Sequence, residues 1–344
     1  MKFSVNLPTC MEGLVLPIPF ARPEDFVRLG QACERWGYEG AWGNDHITTQ
    51  RYVRELHSDP PNFYECFMTL ATVGAHTTRL RLGTSLIVLP LRDPVLLAKQ
   101  AATLDRFTGG RFILGVGLGA YREEFTAWAP RRKHARRGEM VDEGLEALRA
   151  LFGERHASFE GKHYAFRDVE MFPKPVQDPF PIYVGGHNLE MVERTARFGQ
   201  GWLPGWRPIE EIRERAARLK DRAAALGRDP REIEIAPQFS VTVAKANGEA
   251  EARYMRSGLV AHRRSLAYTG RDLTRQVEAN LVGSPDLIVE KVGRLKEAGV
   301  DHCCALMFPV DTVQEMLDQM QWFAESVMPH FATAKAPSSP RPSA

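Results

Sequence analysis

The chain has 344 residues, enough for one large or two ordinary domains. Apolar residues make up 44% and charged residues 26%, and the formal net charge is +2, so bulk charge makes no case for nucleic acid or an anionic membrane as partner. Cys10, Cys33, Cys66, Cys303 and Cys304 show no zinc-ligand spacing, and an odd count suggests no disulfide framework.

In chain order, strand signals fall at 3–7, 40–43, 80–89, 112–115, 181–184, 201–203, 234–243 and 303–307. Helical periodicity fills the gaps at 22–36, 61–77, 94–107, 138–152, 189–198, 209–226, 285–298 and 312–330. Asp93-Pro94, Ser284-Pro285 and Asp311-Thr312 read as helix starts. Eight strands alternating with helices predict an α/β fold, a (β/α)8 TIM barrel with insertions, over a single domain at 1–332. The insertions are expected near 156–177, as a small strand pair, and near 248–283, as a charged helical cover for the barrel mouth. The Pro-, Ser- and Ala-rich tail at 333–344 is expected to be disordered. A doubly wound sheet would want a Gly-rich phosphate turn after the first strand, and Leu7-Pro8-Thr9-Cys10 is not one. The start of the chain carries no signal-peptide core, and no apolar run approaches the ~20 residues that span a bilayer. A cytoplasmic protein with reduced thiols, bound to neither membrane nor nucleic acid, is expected.

Candidate chemistry sits where strands end. The second strand runs into Asn44-Asp45-His46, an acid and an imidazole at a strand's carboxyl end. His46 supplies an imidazole, the side-chain type suited to proton transfer near neutrality. Asp45 either orients that imidazole or, because adjacent extended residues point to opposite faces, serves as a cap or ion-pair partner elsewhere. Gly115-Val116-Gly117-Leu118-Gly119 follows the fourth strand and allows close backbone approach to a flat ring or a phosphate. Tyr121 beyond it is a hydrogen-bond donor to a cofactor or substrate oxygen, or a cover for the mouth. Gly185-Gly186-His187-Asn188 enters a helix, as either an anion site or a plain turn with Asn188 as N-cap. No constellation of paired His and carboxylate ligands points to a metal.

Taken together, Trp42-Gly43-Asn44-Asp45-His46, Arg79-Leu80-Arg81-Leu82-Gly83-Thr84, Thr108-Gly109-Gly110-Arg111, the glycine run at 115–119, Pro173-Lys174-Pro175-Val176-Gln177 and Pro181-Ile182-Tyr183-Val184-Gly185-Gly186 form an ordered series. It resembles the bacterial luciferase-like family of flavin- and deazaflavin-dependent monooxygenases and oxidoreductases, and its wording is closest to the branch that uses coenzyme F420. The resemblance implies a cofactor ring at the strands' carboxyl ends, with His46 and Asp45 beside ring and substrate. It implies a non-proline cis peptide at Ser85-Leu86 behind the ring, and Gly117 and Gly119 near the cofactor side chain. Gly185, Gly186, His187 and Asn188 match the cofactor-phosphate loop. Two departures stand out: Ala120 occupies the place of a general-acid glutamate in members that oxidise sugar phosphates, and His187 replaces a small residue. The first speaks against sugar-phosphate dehydrogenation.

The basic run Arg131-Arg132-Lys133-His134-Ala135-Arg136-Arg137 is either a solvated helix entrance or an attractor for the glutamate tail of F420. The reading is therefore F420-dependent hydride transfer to or from a small organic substrate. The alternatives are an FMNH2-dependent monooxygenase that inserts oxygen from O2 and needs a separate flavin reductase, and a non-catalytic flavin-binding barrel. A homodimer is usual in the resembled family.

Overall fold

The structure, a computed structural model, describes residues 1–132, 134–266 and 272–332, so the expectation for the tail at 333–344 lies outside the described residues. A curled, mostly parallel sheet carries the architecture. Its barrel strands are Lys2–Asn6, Gly40–Gly43, Arg81–Thr84, Phe112–Gly117, Ile182–Gly185, Gly201–Leu203, Gln238–Val243 and His302–Met307. The last strand pairs in parallel with the first. The seventh run is broken, and its second piece also pairs in parallel with a short strand, Leu281–Gly283. Glu234–Ile235 pairs with the sixth strand, and Gln238–Val243 pairs with the eighth. Pro237, which has no N–H to give, sits at the break, and its carbonyl accepts from the Cys304 N–H at 3.0 Å. The ring of strands closes there as a TIM-type barrel.

Helices pack outside with their apolar faces inward, and the caps follow the sequence. Asp93 accepts from the N–H groups of Val95 and Leu96 at 3.0 Å each, and Thr312 accepts from Glu315 N at 3.1 Å. Two boundaries differ from expectation. The predicted helix at 61–77 begins only at Cys66, with Glu65 as N-cap, because Pro60 and Pro61 hold the preceding residues extended; a short helix, Arg51–Leu56, comes before them. The predicted strand at 80–89 ends at Thr84, since the chain turns at Ser85-Leu86, whose peptide is cis, and resumes at Ile87–Val88.

Ala157–Glu160 and Ala165–Val169 form an antiparallel pair outside the barrel. After the seventh strand come the helices Asn247–Arg256 and Gly258–Ser265, and the latter reaches over the barrel mouth. No helix among the described residues is long and apolar enough to cross a membrane.

The amino-terminal end of the barrel holds a polar cluster. Glu234 lies 2.7 Å from His302 Nδ1 and 2.8 Å from Lys2 Nζ, and accepts from the Tyr183 hydroxyl at 3.0 Å. Ser4 Oγ is 2.6 Å from His302 Nε2. Burial opposes ionisation of Glu234, but His302 and Lys2 outweigh it and hold the carboxyl well below the usual range. A carboxyl depressed on folding stabilises above its unfolded pKa and loses that contribution as pH falls towards its folded one. Glu234→Gln is therefore expected to cost about 2–3 kcal/mol at pH 7. In denaturant melts across pH, the gap between wild type and variant narrows below about pH 4; a gap that widens in acid would contradict the assignment.

Candidate functional site

The strands' carboxyl ends surround a cavity of about 400 Å³, with the helix Gly258–Ser265 over it. At its base three strands are tied together. Asn6 Nδ2 donates to Asn44 Oδ1 at 2.6 Å, and the Ser85 hydroxyl donates to Asn6 Oδ1 at 2.8 Å. His46 lines this cavity. Its Nδ1 is 3.1 Å from Glu124 Oε2, and Glu124 Oε1 accepts the Ile47 N–H at 2.6 Å. Glu124 is 3% exposed. Gln50 Nε2 also lies 3.1 Å from Nδ1, so that nitrogen is shared between an amide and a carboxylate; a carboxylate only accepts, and the Glu124 contact calls for a proton on Nδ1. Nε2 has no protein partner among the described residues, and the ring is left one exchangeable nitrogen for the cavity. Tyr121 and Phe63 pack on the ring, each with its centroid 6.0 Å away.

Asp45 lines the same cavity but does not meet the His46 ring, and its side chain takes the ion-pair place that the sequence left open. Successive extended residues face opposite ways, and Asp45 turns to Arg92, with which it pairs, and to the Val88 N–H at 3.0 Å. It braces the turn after the third strand. The carboxylate that meets His46 comes from 78 residues further on. Tyr121 is buried, its hydroxyl 3.1 Å from His262 Nδ1 and 3.2 Å from Ser265 Oγ, so it joins the rim to the helix that covers it.

The glycines have a physical reason to be glycine. A Cβ on Gly117 would lie 2.6 Å from Leu86 Cδ1, and one on Gly185 would lie 2.2 Å from the same atom. These two positions seat the Leu86 side chain and leave a low wall behind the cavity. Gly119 and Gly186 take φ of +78° and +116°, a backbone region that side chains disfavour. Asn188 caps the helix Leu189–Phe198, accepting from Met191 N at 3.0 Å. Its side chain is thus committed to the turn, while the backbone at 185–188 and His187 line the cavity. Trp202 Nε1 holds that loop, donating to Gly186 O at 2.8 Å. Arg137 lines the rim and donates to Gly119 O at 2.8 Å, with Arg131, Arg132 and Arg136 exposed beyond it.

Residues 1–302 match the luciferase-like monooxygenase family. The chain belongs to that family. It is accordingly an enzyme of the luciferase-like monooxygenase type. An FMNH2-dependent dimethylsulfone monooxygenase of Pseudomonas putida is 29% identical over 330 residues, spanning 88% of each chain. The monooxygenase RslO1 of Streptomyces bottropensis superposes with a TM-score of 0.79 at 26% identity, covering 96% of this chain and 100% of its own. An F420-dependent secondary alcohol dehydrogenase shares the fold, with a TM-score of 0.77 at 18% identity over 96% and 99% of the two chains.

Sequence reasoning missed Glu124, Trp206, His262 and Arg263. Glu124 shows only as one of two adjacent glutamates at the start of a short helix after the glycine run, with nothing to separate it from the exposed Glu123.

Two outcomes test this luciferase-like site. Gly185→Ala is expected to lose about 1–3 kcal/mol by overpacking, and Leu86→Ala in the same chain is expected to return most of it; strictly additive losses in thermal melts would rule out the Leu86 seat. Burial pushes the Cys10 thiol up to about 12, although it lies against the His46 carbonyl. Iodoacetamide at pH 8 is thus expected to leave Cys10 unmodified in the native protein and to label it after unfolding, as read by mass spectrometry.

Proposed function

We propose that this protein transfers a hydride between coenzyme F420 and a small organic substrate, with His46 carrying the accompanying proton. The His46–Glu124 pair carries the reading. With Nδ1–H fixed on a buried carboxylate, Nε2 accepts a proton from a substrate hydroxyl, and the resulting imidazolium is stabilised by Glu124. In the reverse direction the same nitrogen donates to a carbonyl oxygen. When bound, the deazaflavin supplies the two-electron carrier.

The residues present fit such a group. Leu86, held back in its glycine seat, and the backbone at 185–186 give a wall with few protruding side chains. Ser85, Leu86 and Gly119 would back the ring, and Gly185, Gly186, His187 and the start of the helix Leu189–Phe198 would take the phosphate. Arg137 with the exposed Arg131, Arg132 and Arg136 offers positive charge to an acidic tail, which favours F420 over FMN.

A second reading, FMNH2-dependent oxygenation with a separate reductase, is favoured by the Pseudomonas putida relative, whose name specifies FMNH2. In that case His46 holds a proton at Nε2, and the apolar residues under the covering helix exclude water.

Fluorescence titration with F420 and with FMN separates the two. Binding of F420 alone is the expected result; binding of FMN alone supports the second reading, and binding of neither overturns both. With the bound cofactor, His46→Ala is expected to lower kcat by about 10²–10⁴-fold, with cofactor affinity within a few-fold of wild type. Glu124→Gln is expected to lower kcat less and to alter its pH profile. Unchanged turnover in His46→Ala would sink the proton-transfer role.

A further inference from the structure

Glu124 is one of two side chains that meet the His46 ring at Nδ1. The other is Gln50, 1% exposed, whose amide nitrogen lies 3.1 Å from the same atom. Gln50 is the N-cap of the helix Arg51–Leu56, yet its side chain makes no cap hydrogen bond; its carbonyl serves the helix, accepting from Arg54 N at 3.2 Å. The side chain is turned to the ring instead. Its other end, Oε1, is buried and has no hydrogen-bond partner among the described residues. Buried amide oxygens are nearly always paired, so this amide is placed for the ring and not for the pocket around it.

The two partners of Nδ1 call for different proton positions. Glu124 is held at Oε1 by the Ile47 N–H at 2.6 Å and, as a carboxylate, only accepts, which suits a proton on Nδ1. An amide carries a donor at one end and an acceptor at the other. With its NH2 towards the ring, Gln50 donates to a bare Nδ1, and the ring proton then sits on Nε2, in the cavity. After a half-turn of the amide, Oε1 accepts from Nδ1–H beside Glu124. No donor holds Oε1 where it lies, so the turn breaks no hydrogen bond at that end.

We propose that Gln50 is a positioning residue that keeps both neutral forms of His46 populated. With the proton on Nδ1, the bare Nε2 accepts from a substrate hydroxyl. With the proton on Nε2, the same nitrogen donates to a carbonyl oxygen, a role that a neutral imidazole fills without becoming charged. The alcohol and carbonyl members of one redox pair are then held by one ring nitrogen. This rests on the reading that His46 faces the reacting oxygen, but it is tested without any reaction.

Long-range proton–nitrogen NMR spectra of protein carrying isotope-labelled histidine report which ring nitrogen bears the proton, and the His46 signals are assigned by their loss in His46→Gln. In the wild-type protein without cofactor, at a pH that leaves the ring neutral, both forms are expected, within about fivefold of one another. Gln50→Met keeps the bulk and removes the amide, and is expected to move the ratio at least about fivefold towards Nδ1–H. Should that variant not fold, Gln50→Glu keeps the shape and is expected to move the ratio the same way, because a carboxylate does not donate. A glutamine that only filled space would leave the ratio where it is in both variants.

A wild-type ring found in one neutral form alone, or a ratio that neither substitution moves, overturns the proposal. F420 binding together with a single neutral form of His46 sinks this inference alone. Two forms that depend on Gln50, with neither F420 nor FMN bound, sink the functional reading and leave the role of the amide standing.

Discussion

Closure of the parallel sheet is the constraint on which the rest of the structure depends. Once the first and eighth strands pair, every strand must leave the barrel at the same rim, and the residues just beyond the strands share one small space. Asn44 and His46, Ser85 and Leu86, Gly119, Gly186 and Trp206 come from separate stretches of chain and meet there for that reason. The break at Pro237 is part of the same closure. A strand has a hydrogen-bonding edge on each side, and Gln238–Val243 uses both, one for His302–Met307 and the other for Leu281–Gly283, so the sixth strand is met by the separate piece Glu234–Ile235.

The two ends of the barrel use buried polarity differently. At the amino-terminal end, Lys2 and the Tyr183 hydroxyl meet one Glu234 oxygen and Ser4 meets His302, while Glu234 Oε1 and His302 Nδ1 lie 2.7 Å apart as an ion pair without hydrogen-bond geometry. Such an arrangement holds strands together. At the carboxyl end, polar groups are paired on one side only. Among the described residues, His46 is held through Nδ1 and open through Nε2, and Trp206 is packed yet keeps an unmatched N–H.

Much of this was legible in the sequence, because the governing signals are local. Apolar runs separated by helical periods identify the barrel, Asp93 and Thr312 announce their helices, and Asn44-Asp45-His46 marks a strand end. The failures are equally physical. Asp45 is adjacent to His46 in sequence but faces Arg92, whereas Glu124 is remote in sequence and faces His46. Proximity along an extended chain predicts opposition rather than contact. The glycines were read as room for a ligand, yet those at 117 and 185 make room first for Leu86, a neighbour that no spacing rule reveals. Arg263 was invisible for another reason: within a charged helical stretch, nothing local distinguishes the buried arginine from the exposed Arg264 beside it.

The covering helix and the His46–Glu124 pair belong to different parts of the chain. The His46–Glu124 pair and the Asn6, Asn44 and Ser85 ties beneath it lie in the first 124 residues. Trp206, the covering helix and Met307 all come from the last 140 or so, counted on the printed sequence. Substitutions in the second half of the chain can therefore reshape the covered side of the cavity without touching the His46–Glu124 contact. The barrel is in this sense modular along its length as well as around its axis.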